Sequence, residues 1–514
     1  MQYENLDQAL SALEQTQKEE AAYNHAMGVL YLDAATAAPA GSYVGRGGTM
    51  EILSRKMYDI STSPERGALL DYLEAHRKAL NPVQGRQVEV LRKDYDRSHK
   101  IPAEEYVGYR VLLNDAEAVW AKAKTENDFS AFAPYLEKIV NYNRKFAGYY
   151  SPELAPYDAL LNEYEEGMNM QTLDAFFARL RDTIVPLIGK IRQKPQIDDS
   201  FLFRNYPVEQ QRKFSDYLME VLGLDRNYCA IAETEHPFTT NFNNHDVRIT
   251  THYYGDNLAS SMYSVIHEGG HARYELDADD RYNGTCLSGG VSMGIHESQS
   301  RFYENLIGRS RPFIYAIFPR IQEFFPEQLG DVDAEMFYRA VNKAQPSLIR
   351  TEADELTYAL HVMVRYEIEK QLIGGTLSVR EVPARWKELY REYLGVEVPN
   401  DREGCLQDSH WSGGSIGYFP SYALGSAYGA QMLADGLLAP VTAPWVFLKT
   451  LRTGYLSSAG MEGELLRLCM DDSYQEDALH VDVWVDGENV PQRAEILHEG
   501  RKYLSLAIHA FTIS

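Results

Sequence analysis

Ser264-Val-Ile-His267-Glu268-Gly-Gly-His271-Ala-Arg-Tyr274 carries the pattern H-E-x-x-H, and the chain is organised around it. Residues four apart on an α-helix stack on one face. His267 and His271 can therefore turn both imidazoles towards one cation, with Glu268 beside them. A zinc ion held this way lowers the pKa of its water to roughly 7, and a neighbouring carboxylate can take the proton. That is the chemistry of a metalloprotease. The plainer alternative is an amphipathic helix, for which Met262, Val265, Ile266, Ala272 and Leu276 supply a buried face. Gly269-Gly270 weighs against it. Each Gly costs roughly 1 kcal/mol relative to Ala inside a helix. That cost has a use only where a substrate or a neighbouring helix must meet bare backbone.

The 514 residues include 50 basic and 74 acidic side chains, a net charge of −24. Such a surface repels phosphate backbones and anionic membranes, so no nucleic-acid partner is expected. Cys229, Cys286, Cys405 and Cys469 form no C-x-x-C pair, which suits free thiols in a reducing cytoplasm. The first residues have neither a basic nor an apolar signal region, and no run approaches ~18 apolar residues. A cytoplasmic protein with no membrane association is the expectation.

Helical periodicity dominates. Residues 5–30, 65–97, 103–126 and 129–149 repeat apolar positions three and four apart, and a further run extends from Leu173 to about Arg192. Pro102 and Pro134 are placed in first helical turns. With no repeat or flexible linker in this part of the chain, the pattern predicts a mainly α fold built as one large helical domain. Residues 236–255 differ, being rich in Thr, Phe, Tyr and Ile, and predict a strand just before the motif helix. A peptide could add to the edge of such a strand. His236, His245 and His252 in this segment are taken as structural, since a lone His is more often hydrogen-bonded than metal-bound.

Two histidines do not close a catalytic zinc site. Ser288-Gly-Gly-Val-Ser-Met-Gly-Ile-His296-Glu297-Ser-Gln-Ser-Arg301 predicts a second helix, with Glu297 lying 26 residues after His271. Spacing leaves two readings of Glu297: a third ligand from a helix packed across the first, or an acidic residue favoured by the helix dipole. Ile349-Arg350-Thr-Glu352-Ala-Asp354-Glu355 reads singly as a solvated face or an internal ion-pair set. Gly404-Cys-Leu-Gln407-Asp408-Ser-His410-Trp411 is different, because its polar groups are costly to bury and fill a core poorly. Gly417-Tyr418-Phe-Pro-Ser-Tyr422-Ala-Leu-Gly425 follows it.

Together these motifs resemble the carboxypeptidase Taq family of zinc metallocarboxypeptidases. The resemblance rests on H-E-x-x-H at 267–271, D-x-R-x-T as Asp246-Val-Arg248-Ile-Thr250, and H-E-S-Q as His296-Glu297-Ser298-Gln299. I-R-T-x-A-D-E at 349–355 and G-x-x-Q-D-x-H-W at 404–411 complete it. It implies a helical fold with a deep central groove, a small β-sheet beside the metal site, and a homodimer. It also implies that His267, His271 and Glu297 hold the metal, zinc by default with cobalt possible, and that Glu268 is the base. The Tyr418 stretch is similar to the part of related helical peptidases that donates a phenol to the oxyanion. His410, Tyr418 and Tyr422 are accordingly the further catalytic candidates. The expected activity is release of C-terminal amino acids from peptides.

A carboxypeptidase must hold a free carboxylate, for which the planar fork of Arg is suited. Arg350 is the favoured clamp, while Arg248, with Asp246 and Thr250, would help close the groove's end. Ion pairs with Asp354 or Asp246 are the structural alternatives. The alternative functions are a zinc oligopeptidase cutting internal bonds and a non-catalytic metal-stabilised scaffold that binds peptides. The family pattern covers roughly residues 5–435, so 1–435 is expected as the metallocarboxypeptidase domain. Residues 436–514 are set apart as a C-terminal segment, with a hairpin expected around Asp486-Gly487.

Overall fold

A computed structural model of the chain describes residues 3–434 and five strands between 457 and 507. Helices dominate, as their periodicity predicts, and polar caps set their starts. Asn5, Asp128 and Asn169 each accept a backbone N–H at the head of a long helix, satisfying donors the helix itself cannot.

Two helix boundaries differ from expectation. The run 65–97 is two helices, Pro64–Ala75 and Pro82–Lys100. Asn81 and Gln84 form a reciprocal capping box before the second, and Pro82 stands in its first turn, so a new start interrupts a continuous apolar pattern. Pro134 lies inside Phe129–Tyr150 and not in its first turn, because Asp128 caps the helix earlier. Pro102 is the N-cap of Ala103–Glu126.

The segment 236–255 folds as two strands, β2 (Thr239–Asn243) and β3 (Asp246–Thr251). β1 (Cys229–Glu233) pairs parallel to β3, and β2 pairs antiparallel to it, giving the order β1-β3-β2. β2 is thus an edge strand, and the motif helix Leu258–Leu276 follows directly, capped by Asn257. The hairpin expected near Asp486 is present in its flanks. Asp477–Val485 pairs antiparallel with Pro491–His498 within a second, five-stranded antiparallel sheet; the turn itself lies outside the described residues.

Two apolar clusters flank the site. One gathers the motif helix with Phe313–Ile321 and β3; the other gathers the helix Glu355–Gly374 with Leu406, Trp411 and Phe419. Between them runs a groove of about 1280 Å³, lined from both sides. Among the described residues no helix is long and apolar enough to cross a membrane. Cys229, Cys286 and Cys405 are free thiols.

Candidate active site

His267 and His271 stand one turn apart on the motif helix and present Nε2 to the groove floor. Glu297 reaches them from the helix Met293–Arg301, its Oε2 3.8 Å from Nε2 of His267 and 3.6 Å from that of His271. One ligand atom from each of the three falls within 4.8 Å of the others. Two imidazoles and a carboxylate converging in this way fit a catalytic zinc-type donor set with room for water. The second reading of Glu297, a dipole-favoured acid on its own helix, does not account for that convergence.

The second nitrogen of each imidazole is held in turn. His267 Nδ1 meets Glu304 Oε2 at 2.8 Å. His271 Nδ1 meets His296 Nδ1 at 2.6 Å, and His296 Nε2 meets Glu275 Oε1 at 2.7 Å. To hold an ion, each ligand Nε2 would need a free lone pair, which would place the proton on each ligand Nδ1. His296 would then accept at Nδ1 and donate from Nε2 to Glu275. Arg301 Nε donates to the other oxygen of Glu297 at 2.9 Å. Burial alone would raise the Glu297 pKa, but His267 and Arg301 hold it well below the usual carboxylate range. Burial disfavours charge on His267 as well, yet Glu297 and Glu304 push its pKa up to about 8. Two carboxylates this close to the imidazoles make a pocket that favours a cation.

Bare backbone explains the glycines. A Cβ at Gly270 would sit 2.7 Å from the Gln299 carbonyl oxygen, and one at Gly269 would strike Leu222. The neighbours that need the space are the second ligand helix at Gly270 and the Leu222 side chain at Gly269. Gly425, on the helix Pro420–Ala434, does the same from the opposite side: a Cβ there would lie 2.6 Å from Cγ of Glu297. The ligand helix is thus wedged between two glycine-bearing surfaces. Gly425→Ala should displace the Glu297 carboxylate, at a strain typical of overpacking, about 1–3 kcal/mol. The expected result is folded protein with weakened metal retention, measured as metal per chain after dialysis.

Glu268, 6 % exposed, turns into the groove beside the ligands. Thr239 on β2 donates to its Oε2 at 2.6 Å and contacts its backbone oxygen at 3.1 Å. Tyr418 and Tyr422 line the groove. Burial, reinforced by Glu297, raises the Tyr418 pKa, so its phenol stays protonated and able to donate. His410 stands behind Tyr422, with Nε2 3.1 Å from its hydroxyl. Burial and the Arg350 charge depress the His410 pKa to about 4, which leaves it neutral.

The arginine candidates separate. Arg350 lines the groove at 5 % exposure. Its Nε and Nη2 donate to Asp408 Oδ1 at 3.0 and 2.8 Å, and Nη1 to the Tyr358 hydroxyl at 2.8 Å. Its ion-pair partner is Asp408, not Asp354, which instead caps the helix Glu355–Gly374. Arg248 grips Asp246 with two hydrogen bonds, and Thr250 ties β3 to Phe238. None of Asp246, Arg248 and Thr250 is among the groove-lining residues. His245 lies against Asp280 and His252 against the Thr234 carbonyl, while His236 and His252 face the groove.

Several contributors escaped the sequence reading. Glu275 continues the stripe of His267 and His271 by one more turn, and Arg301 lies one turn beyond Glu297; both were accessible from helical spacing. Glu304 was less so, because Phe302–Ile307 is a π-helical turn that alters the period. Thr239 carried no signal beyond its strand.

A family profile described as Carboxypeptidase Taq (M32) metallopeptidase matches residues 12–437. "Carboxypeptidase 1" of Bacillus subtilis is 42 % identical over 413 residues, covering 80 % of this chain and 82 % of that protein. "Thermostable carboxypeptidase 1" of Thermus thermophilus is 39 % identical over 439 residues, covering 82 % and 86 %. The crystal structure of the M32 carboxypeptidase from Deinococcus radiodurans R1 superposes with a TM-score of 0.83 at 37 % identity, over 87 % of this chain and 90 % of that one.

Proposed function

Since the chain belongs to the carboxypeptidase Taq (M32) family of metallopeptidases, we propose that it removes C-terminal residues from peptides with Glu268 as general base. The observation that supports this most directly is a base beside, and not within, the ligand triad. A non-catalytic metal scaffold needs no such carboxylate. Zinc is the proposed ion, with cobalt able to take the same donors. When bound, the ion supplies Lewis acidity, polarising the scissile carbonyl and acidifying a water molecule.

The remaining steps belong to the chain's own side chains. Glu268, steadied by Thr239, takes the water's proton and returns it to the leaving amine. Tyr418 donates to the developing oxyanion, with the Tyr422–His410 pair alongside; one such donor is typically worth roughly 3–4 kcal/mol. The peptide enters along the β2 edge, whose lead-in residues His236 to Thr239 line the groove.

Arg350 is the proposed clamp for the substrate carboxylate. Three of its N–H groups are spent on Asp408 and Tyr358, and a guanidinium has five. Asp408 thus fixes the fork and leaves donors for a ligand. Arg248 is proposed as a brace for the sheet, its fork being taken by Asp246. The family's homodimer and a cytoplasmic location are carried as proposals.

The test is an N-blocked dipeptide set against its C-terminal amide. The free acid should be strongly preferred by the unmodified protein. Equal cleavage of acid and amide would overturn the carboxypeptidase reading in favour of an oligopeptidase. Arg350→Ala should erase the preference mainly through KM. Because that change also takes from Asp408 one of its two arginine partners, leaving Arg365, Arg350→Lys, which keeps a charge but not the planar fork, provides the cleaner comparison.

A further inference from the structure

We propose that Glu369 is a positioning residue for catalysis: from the helix Glu355–Gly374 it holds both ends of the loop 411–417 and so sets where the Tyr418 phenol stands. The proposal rests on the reading that Tyr418 serves the oxyanion.

Glu369 is fully buried, as is Arg365 one turn before it on the same face. The two side chains grip one irregular loop at successive points. Arg365 donates to Asp408 through Nε at 2.8 Å and Nη2 at 2.6 Å, and also to Gln407. Glu369 accepts the Trp411 indole N–H on Oε1 at 2.8 Å, and the Gly417 backbone N–H on Oε2 at 2.9 Å. A third donor, the Tyr157 hydroxyl, reaches Oε2 at 2.8 Å. Trp411 follows His410 directly and Gly417 precedes Tyr418 directly. The carboxylate therefore bridges the two ends of the segment that separates the proposed oxyanion groups.

The backbone shows why a clamp is needed. Gly414 and Gly417 both take positive φ, +79° and +95°, and a Cβ at Gly417 would press on the Leu160 carbonyl at 3.0 Å. The loop's own hydrogen bonds are turn bonds, such as Ser415 N–H to the His410 carbonyl at 2.9 Å, and the buried carboxylate ties its two ends to the helix beneath. Burying it is offset by three donors and by Arg365. Burial raises the Glu369 pKa to about 7 against the lowering by Trp411, Gly417, Tyr157 and Arg365, and Tyr164 from the Tyr157 helix also faces its charge. A simple core-filling role would not require the charge, and here the two roles diverge. A Gln side chain has the same shape but carries one acceptor and one NH₂. Whichever way its amide turns, the NH₂ opposes either the Trp411 N–H or the Gly417 N–H, neither of which can accept.

The test uses the metal-loaded full chain, assayed well above the carboxyl's pKa on a blocked dipeptide acid. Glu369→Gln should keep full metal content and KM while kcat falls about 100-fold, the scale of losing one oxyanion donor. Tyr418→Phe should cost a similar factor, and the double variant little more than Tyr418→Phe alone, since both act through one phenol. Unchanged kcat in Glu369→Gln beside a loss in Tyr418→Phe overturns the positioning role and leaves the oxyanion reading standing. No loss in Tyr418→Phe overturns the reading beneath it. Additive losses also overturn the proposal. If Glu369→Gln fails to fold, Tyr157→Phe removes one donor with little change of shape. The carboxyl pKa then rises further, and the limb on which kcat rises with pH should move to higher pH. An unmoved limb counts against the proposal.

Discussion

Glu268→Gln should retain one ion per chain and lose about 10²–10⁴-fold in kcat, the range that a positioned general base contributes. The isosteric amide cannot take a proton, yet it leaves the three ligand atoms of His267, His271 and Glu297 untouched. Its carbonyl can still accept the Thr239 hydroxyl that holds Glu268 Oε2 at 2.6 Å, so little reorganisation should accompany the change. Metal analysis and kcat on the blocked dipeptide separate the two quantities. Activity equal to that of the unmodified protein would move the base elsewhere in the groove. Loss of metal would show that Glu268 supports the ion, contrary to its place beside the triad.

Much of this site could be read in the chain because helices impose a short period. The interval His267 to His271 fixes a common face, and the Gly269-Gly270 pair announces a close neighbour before that neighbour is identified. The structure supplies it as the helix of Glu297, whose Gln299 carbonyl lies against Gly270. Where the period ended, so did the reading. For Arg350, favoured as the clamp, the structural alternative is a local pair with Asp354; its observed partner Asp408 is 58 residues away and meets it where a loop folds back over the helix Glu355–Gly374. Arg248 behaved conversely, because its partner two residues along β3 lies on the same face of the strand. Glu369 sits in a helix that is buried almost all round and carries charged residues at several positions, so its carboxylate gives no periodic signal. Pro134 shows the same limit at the level of boundaries: the Asp128 cap, six residues before it, outweighs the first-turn placement expected for proline. Local chemistry was legible; contacts made by long returns of the chain were not.

Glu297→Ala should lose its metal on mild dialysis, whereas His296→Ala should keep much of it. The first removes a ligand atom that lies 3.6 and 3.8 Å from the two histidine nitrogens, and leaves Arg301 with Glu304 as its remaining carboxylate. Two imidazoles alone then face the ion, one fewer protein ligand than catalytic zinc sites use. The second leaves all three ligand atoms in place and removes the partner of His271 Nδ1 together with one donor to Glu275. Losing such an outer partner typically weakens metal binding by roughly 10–100-fold, so a tightly held ion survives dialysis though a competing chelator removes it sooner. Glu304, which serves His267 in the same way, is untouched by either change. A chelator titration of both variants and the unmodified chain orders the three affinities. The expected order is unmodified, then His296→Ala, then Glu297→Ala by a wide margin. Full metal in Glu297→Ala would require another carboxylate or histidine to reach the ion. Among the described residues the cluster at ligand spacing is His267, His271 and Glu297, so that outcome would demand a rearrangement of the groove.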